Sequence, residues 1–142
     1  MSESNRPDVA VIDSGGANLA SLVLALQRLG AKVVVTRDAV AIRAAPRVVL
    51  PGVGSAGDAM QRLRASGLDT IVPQLTQPVL GICLGMQLLF DSSAEGGTTC
   101  LGVIRGTVDR LAAAPGRPVP HMGWNTLEQR QPHPLLHDLA PS

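Results

Sequence analysis

PVLGICLGMQLLF, residues 78–90, is the stretch from which the rest of the chain is best interpreted. It begins with an apolar run, residues 78–82, whose length and composition are typical of a fully buried β-strand, and it continues with a helical pattern. Cys83 lies at the junction, with Gly81 and Gly85 two residues to either side. A tight strand-to-helix turn brings neighbouring backbone very close, and glycine removes the Cβ atoms that would clash there. The pattern predicts that the cysteine side chain projects from the edge of a sheet.

Cys83 has two interpretations. A single cysteine in an apolar run is more often a small buried hydrophobic residue. The matched glycines favour a nucleophile instead, because their spacing is that of the G-x-S-x-G elbow with sulfur in place of the hydroxyl. The helix that follows directs its first N–H groups at the thiol, and their partial positive charge favours the thiolate, which is the form that attacks carbon.

Length and composition limit the class of protein. The 142 residues predict one domain, able to bury about 70% of its unfolded surface. Hydrophobic residues make up 45% and charged residues 16%, with a net charge of +1, so neither disorder nor a strongly charged partner is indicated. Trp124 and Phe90 are the two aromatic residues, too few for a base-stacking surface, so nucleic-acid binding is not expected.

The sequence also indicates a cellular compartment. The amino terminus has no apolar signal segment, and no run of about 18 apolar residues occurs, so we expect a cytoplasmic protein without a membrane partner. In that compartment Cys83 and Cys100 should both be free thiols, and Cys100, in a Gly/Thr-rich stretch, should be incidental.

Strand and helix patterns alternate before the elbow. Strands are predicted at residues 9–13, 32–36 and 47–50, and helices at residues 19–29, 56–63 and 68–75, with a short helix or loop at residues 40–45. This order implies right-handed crossovers and a parallel sheet with helices on both faces. Active sites of such sheets lie beyond the carboxyl ends of the strands.

The remaining segments are less regular. The Gly-rich turn at residues 14–18 does not match G-x-G-x-x-G, so we interpret it as a tight connection and expect no cofactor. Residues 91–99 predict a surface loop, and residues 101–104 and 107–111 two short strands with Gly106 at the turn. Residues 112–118 predict a linker.

Two motifs resemble class I glutamine amidotransferases, enzymes that hydrolyse the side-chain amide of glutamine and release ammonia. They are GICLGMQ, residues 81–87, similar to the nucleophile motif, and PGVG, residues 51–54, similar to the oxyanion strand. The resemblance implies a flavodoxin-like α/β fold, no cofactor and no metal. It implies that Cys83 is the nucleophile and that Gln87 helps to hold the substrate glutamine. It assigns the oxyanion site to Gly52, Val53, Gly54 and the N–H of Leu84. Taken alone, PGVG is more often a turn and Gln87 an exposed helix residue.

PHMGWN, residues 120–125, narrows the resemblance to the glutaminase subunit of imidazole glycerol phosphate synthase. In that family the ammonia passes to a cyclase subunit, a (β/α)8 barrel. The cyclase makes imidazole glycerol phosphate and an aminoimidazole carboxamide ribotide in histidine biosynthesis. The resemblance implies a heterodimer in which His121, Met122, Trp124 and Asn125 contact the cyclase. Large aromatic residues commonly anchor such interfaces.

The chain departs from the family pattern in one respect. Family members complete a Cys-His-Glu triad from a Phe-His-Pro-Glu-like segment, and no such segment occurs in residues 1–142. We expect one amidotransferase domain that lacks the C-terminal part carrying these two residues, and that exposes a sheet edge and apolar surface. His133 and His137 are weak substitutes for the base. Two alternatives stay open: an inactive fragment that binds only glutamine or the partner, and another cysteine hydrolase of this fold.

Overall fold

The computed structural model describes residues 6–15, 19–126 and 128–137, and the chain divides into two compact units, Met1–Arg110 and Leu111–Ser142. The first unit holds the regular structure. Its strands are β1 Val9–Ile12, β2 Val33–Thr36, β3 Arg47–Gly52, β4 Val79–Cys83, β5 Phe90–Ser93, β6 Thr98–Thr99 and β7 Ile104–Val108. Its α-helices are α1 Leu19–Arg28, α2 Ala39–Ala44, α3 Ala56–Ala65, α4 Leu68–Ile71 and α5 Leu84–Gln87, and a 3-10 turn, Val72–Gln74, continues α4.

Four parallel strands form the main sheet, in the order β2-β1-β3-β4. This order is that of the flavodoxin-like doubly wound fold. On one face, α1 packs Leu22 and Leu26 against Val11 and Val49. On the other face, buried residues of α2, α3, α4 and α5 share one core with strands β1 and β3. The prediction of a parallel sheet with helices on both faces is confirmed.

Local signals explain where the main helices begin and end. The Ser55 side chain caps α3, its hydroxyl oxygen accepting a hydrogen bond from the Asp58 N–H at 3.2 Å. Asp38 caps α2 in the same way through the Val40 N–H at 3.0 Å. After α1 the chain reaches Gly30, whose φ of +82° suits glycine and ends the helix. The predicted turn at residues 14–18 lies partly outside the described residues.

Residues 78–82 were predicted to form a fully buried strand. The strand is present, but the prediction that it is fully buried is wrong. Strand β4 has a single neighbour, β3, among the described strands, so it is an edge strand. Its side chains are half-buried or exposed, with Leu80 and Ile82 among the exposed apolar residues. The expectation of an exposed sheet edge with apolar surface is therefore confirmed. Strand β3 also continues through Pro51 and Gly52, beyond its predicted end at residue 50.

The segment after the elbow differs from its prediction. Helix α5 is a single turn, and the stretch predicted as a surface loop contains strands β5 and β6. Buried Leu88, Leu89 and Leu101 hold this segment against the core, and the Leu101 N–H donates to the Leu88 carbonyl at 2.9 Å. The two short strands predicted around Gly106 are one strand, β7, which pairs in parallel with β5. Together β6, β5 and β7 form a second, three-stranded sheet.

The second unit has little regular structure in the part that the structure describes. It contains an isolated bridge between Ala114 and Arg117 and a 3-10 turn, Pro134–Leu136. Across the described ranges of both units, no helix is long and apolar enough to cross a membrane.

Candidate active site

Cys83 is held in an unusual backbone conformation between β4 and α5. Its φ of +54° and ψ of −121° make it the one non-glycine residue with positive φ among those described. Such a conformation is strained for a residue with a Cβ atom, and it is typical of nucleophile elbows. The Cys83 side chain is exposed and its thiol is free. The structure therefore presents the sulfur at the carboxyl end of a parallel strand, as the elbow interpretation predicts.

Three glycines allow β3, β4 and α5 to approach each other closely at this point. A Cβ atom on Gly85 would lie 1.9 Å from the Leu50 carbonyl oxygen, and one on Gly81 would lie 2.5 Å from the Met86 Cα atom. A Cβ atom on Gly52 would lie 2.7 Å from the Gly85 nitrogen. These distances are far below van der Waals contact, so any side chain would push the helix away from the sheet. The prediction that glycine is required on both sides of the cysteine is confirmed.

The PGVG motif lies beside the elbow. Gly52 is the register partner of Cys83 in the pairing of β3 with β4, and Gly54 has a φ of +90°. The backbone N–H groups of Val53, Gly54 and Leu84 therefore lie where β3 and β4 end, beside the Cys83 elbow. N–H donors next to a nucleophile are the groups that can stabilise a developing oxyanion.

A cavity of about 710 Å³ opens at the Cys83 side chain. It brings together every residue predicted for catalysis and substrate binding except Gly52, which lies in the adjoining strand. Its lining consists of Val53, Gly54, Cys83, Leu84, Gln87, Ser93, Ala94, Glu95, Val108, Asp109 and Arg110. All of these lining residues belong to the first unit.

The cavity-lining residues from Ser93 onward were not predicted from the sequence. Glu95 is the most firmly positioned of them: its carboxylate accepts a hydrogen bond from the Ala56 N–H at 2.9 Å, and its own N–H donates to the Ser93 hydroxyl at 3.2 Å. The signal for Glu95 was weak, because an acidic residue in a polar, Gly-rich stretch is ordinary for a surface loop. Asp109 and Arg110 follow β7, whose pairing with β5 brings them to the cavity.

Cys100 does not line this cavity. Burial raises the pKa of its thiol above the ordinary value of 9.0, and the positive charge of Arg64 partly opposes that rise. Its sulfur lies 3.6 Å from the Thr98 carbonyl oxygen, close enough for a weak S–H hydrogen bond. Both cysteines are free thiols, as expected.

The predicted partner-contact residues lie in the second unit, where His121, Met122, Trp124 and Asn125 are all exposed. Met122 has a relative exposure of 84% and Trp124 of 102%, high values for large apolar side chains. The Asn125 side-chain oxygen accepts a hydrogen bond from the Thr126 N–H at 3.0 Å. In His133, Nδ1 accepts a hydrogen bond from the Leu135 N–H at 3.2 Å.

Comparison with known proteins gives close relatives. One is 53% identical over 132 residues, 93% of this chain and 66% of the relative: imidazole glycerol phosphate synthase subunit HisH of Xanthomonas campestris pv. campestris (strain 8004). Proteins of the same name from Xanthomonas oryzae pv. oryzae (strain MAFF 311018) and Xylella fastidiosa (strain Temecula1 / ATCC 700964) are each 52% identical with the same coverage. The chain thus spans slightly less than two thirds of the length of these relatives.

A solved structure supports the fold. The chain matches a protein described as "Crystal structure of glutamine amidotransferase" with a TM-score of 0.62 and 22% identity, over 72% of this chain and 56% of the other. The sequence profile of the family described as "Glutamine amidotransferase class-I" matches residues 10–142, nearly the whole chain. With the Cys83 elbow, the adjoining PGVG backbone and the shared fold, this match means that the chain belongs to the class-I glutamine amidotransferase family.

Proposed function

We propose that the protein of which these residues form part is a glutaminase that hydrolyses glutamine to glutamate and ammonia. The observation that carries the proposal is Cys83, exposed at a positive φ in a strand-to-helix elbow and opening into a cavity. Membership of the class-I glutamine amidotransferase family supports the same reaction.

In the proposed reaction, the Cys83 thiolate attacks the side-chain amide carbon of glutamine and a carbon–sulfur bond forms. The carbonyl oxygen becomes an oxyanion, and the backbone N–H groups of Val53, Gly54 or Leu84 beside the elbow would stabilise it. The carbon–nitrogen bond then breaks, and the nitrogen leaves as ammonia after accepting a proton. Water hydrolyses the thioester, which releases glutamate and restores the thiol. Gln87 lines the cavity where the amino acid end of the substrate would lie.

The reaction needs a base that takes the thiol proton and delivers it to the leaving nitrogen. Residues 1–110 contain no histidine. A histidine in that role must therefore come from outside the first unit. This observation favours the second candidate function, in which the 142 residues bind glutamine or a partner without turning glutamine over.

The partner that we propose is a cyclase subunit with a (β/α)8 barrel, which would use the ammonia in histidine biosynthesis. The relatives named HisH are described as subunits of imidazole glycerol phosphate synthase, which supports this pairing. His121, Met122, Trp124 and Asn125 would contact the cyclase, and their exposure is compatible with that role. We further propose that residues 1–142 belong to one amidotransferase domain in the cytoplasm, in keeping with the extent of the family match and the two free thiols.

Ammonia release from glutamine tests the proposal. The protein of which these residues form part is assayed beside the 142-residue chain, each alone and with a cyclase subunit and the cyclase ligand. The Cys83→Ala variant is assayed beside Cys100→Ala, which removes a thiol that lies outside the cavity. For the whole protein we expect release that Cys83→Ala abolishes and Cys100→Ala preserves. Saturable glutamine binding without release would support the non-catalytic candidate, and release that survives Cys83→Ala would overturn the assignment of the nucleophile.

A further inference from the structure

Strand β2 lies at an open edge of the main sheet. Among the described strands its one neighbour is β1. In the flavodoxin-like order, a further strand adds beside β4, so β2 remains at the edge of such a sheet. Proteins often protect an edge strand with a charge, a proline or a bulge, because an open edge can pair with another chain. The sequence of β2, VVVT, contains no charge or proline, and its pairing with β1 has no bulge.

The peptide groups of β2 alternate between β1 and the open side. Just before the strand, the Lys32 N–H donates to the Asp8 carboxylate at 2.8 Å, and the Lys32 carbonyl oxygen accepts from the Asp8 N–H at 2.8 Å. At its end, the Thr36 carbonyl oxygen accepts from the residue after β1 at 3.1 Å. Residues 32 and 36 therefore face β1. The peptide groups of Val33 and Val35, one position out of step, are directed to the open side.

The surroundings of this edge suit a second strand. A cavity of about 860 Å³ is lined by residues of β2 and α2, and its central side chains are small and apolar: Val33, Val34, Val40 and Ala41. Val40 has a relative exposure of 74% and Val35 of 42%. Lys32, before the strand, and Asp38, after it, also line the cavity and carry opposite charges. The edge is thus apolar in its middle, basic before it and acidic after it.

We propose that two copies of this chain pair through β2, antiparallel about a twofold axis. With the axis at Val35, this residue exchanges both of its backbone hydrogen bonds with Val35 of the second copy. The same register places Lys32 opposite Asp38 of the second copy, twice in the dimer. A shift that places Val33 opposite Val35 would put Lys32 opposite Thr36 instead, so the charges favour the first register. The occupant of the edge is therefore a second copy, because the strand and its charges are complementary to themselves.

Sedimentation velocity of the 142-residue chain over a range of concentrations tests the proposal. We expect a reversible dimer. Val35→Lys and Val35→Glu should each be monomeric, because each places like charges directly opposite one another. An equimolar mixture of the two variants should form a dimer again, since lysine then faces glutamate. Mixing would not repair a folding defect, so this restoration is specific to the twofold pairing at Val35.

Leu80→Lys is the matched control. Leu80 lies in β4, the strand at the other edge, and its relative exposure of 43% is close to that of Val35. This variant should dimerise like the parent chain.

The charged ends of the strand are tested separately. Asp38→Asn removes the charge and retains the cap of α2, since asparagine is an equally good cap, and Lys32→Gln removes the opposite charge. Each should raise the dissociation constant of the dimer about fivefold, because either change removes two exposed ion pairs. The double variant should raise it no further.

A parent chain that stays monomeric at about 1 mM would overturn the proposal. So would a mixture of Val35→Lys and Val35→Glu that stays monomeric, or a dimer that Leu80→Lys disrupts and Val35→Lys preserves. Additive effects of Lys32→Gln and Asp38→Asn would overturn the register. None of these measurements involves glutamine, so their outcome is independent of the proposed function.

Discussion

At Gly85 the backbone of α5 passes so close to β3 that a methyl group has no room. The nearest atom to an added Cβ is the Leu50 carbonyl oxygen, part of the rigid sheet, so the clash cannot be relieved by a side-chain rotation. The requirement for glycine could be predicted from the sequence because it is a local property of a strand-to-helix turn around Cys83. The close contact with β3 could not, because the sequence does not reveal which strand lies beside the elbow.

Gly85→Ala should destabilise the protein by about 1 to 3 kcal/mol, the range expected when a packed site is overfilled. Gly57→Ala is the matched control, since Gly57 lies within α3 and its added Cβ would meet only the Thr98 hydroxyl at 3.6 Å. That substitution should be neutral or stabilising, because alanine favours helix. The free energy of unfolding from urea titrations measures both, and equal values for the two variants would contradict the packing described around Cys83.

The rate at which the Cys100 thiol is alkylated should depend on pH. Because burial raises its pKa above 9.0, less of its thiol is ionised at a given pH than in the unfolded chain, and the thiolate is the reactive form. We expect Cys100 in the folded protein to react slowly with iodoacetamide at pH 8 and faster as the pH rises past 9. The same residue in urea-unfolded protein should react faster at every pH below that range. A folded rate equal to the unfolded rate would contradict the burial of this thiol.

Among the elements, strands β1 to β4 and helices α1 to α4 could be predicted because each has its own apolar periodicity and its own cap or glycine. The second sheet could not be predicted so well. Strand β5 is short and mostly polar, and it forms because Phe90 and Ser92 pair with a strand farther along the chain. The same holds for the candidate site. The motif residues around Cys83 could be predicted, whereas Glu95 and Arg110 could not, because the pairing of β5 with β7 brings them to the cavity.

The cap of α3 gives a test at the level of an element. Ser55→Ala removes the hydroxyl that accepts from the Asp58 N–H, and it should lower the free energy of unfolding by about 1 kcal/mol. Ser55→Thr is the control, because threonine keeps the hydroxyl that caps the helix and that donates to the Asp58 carboxylate at 2.8 Å, and it should preserve most of the stability. Both are measured by urea unfolding. If Ser55→Thr lost as much stability as Ser55→Ala, the serine would matter for some reason other than its hydroxyl.

For the molecule as a whole, partner binding is the main expectation. Trp124→Ala should raise the dissociation constant for the cyclase subunit about tenfold or more, since buried aromatic anchors dominate interfaces. Leu135→Ala is the control, because Leu135 is also exposed and apolar in the second unit but lies outside the PHMGWN motif. Isothermal titration of each variant with the cyclase gives the constants. An unchanged dissociation constant for Trp124→Ala would contradict the proposal that the PHMGWN motif contacts the cyclase.

The central claim is that Cys83 attacks the carbon of a glutamine-like substrate, and covalent labelling tests it most directly. A chloromethyl ketone analogue of glutamine is incubated with the chain, and the modified peptide is identified by mass spectrometry. We predict one adduct, on Cys83, that excess glutamine prevents and Cys83→Ser abolishes. Labelling that falls on Cys100, or that proceeds equally in the presence of glutamine, would contradict the account.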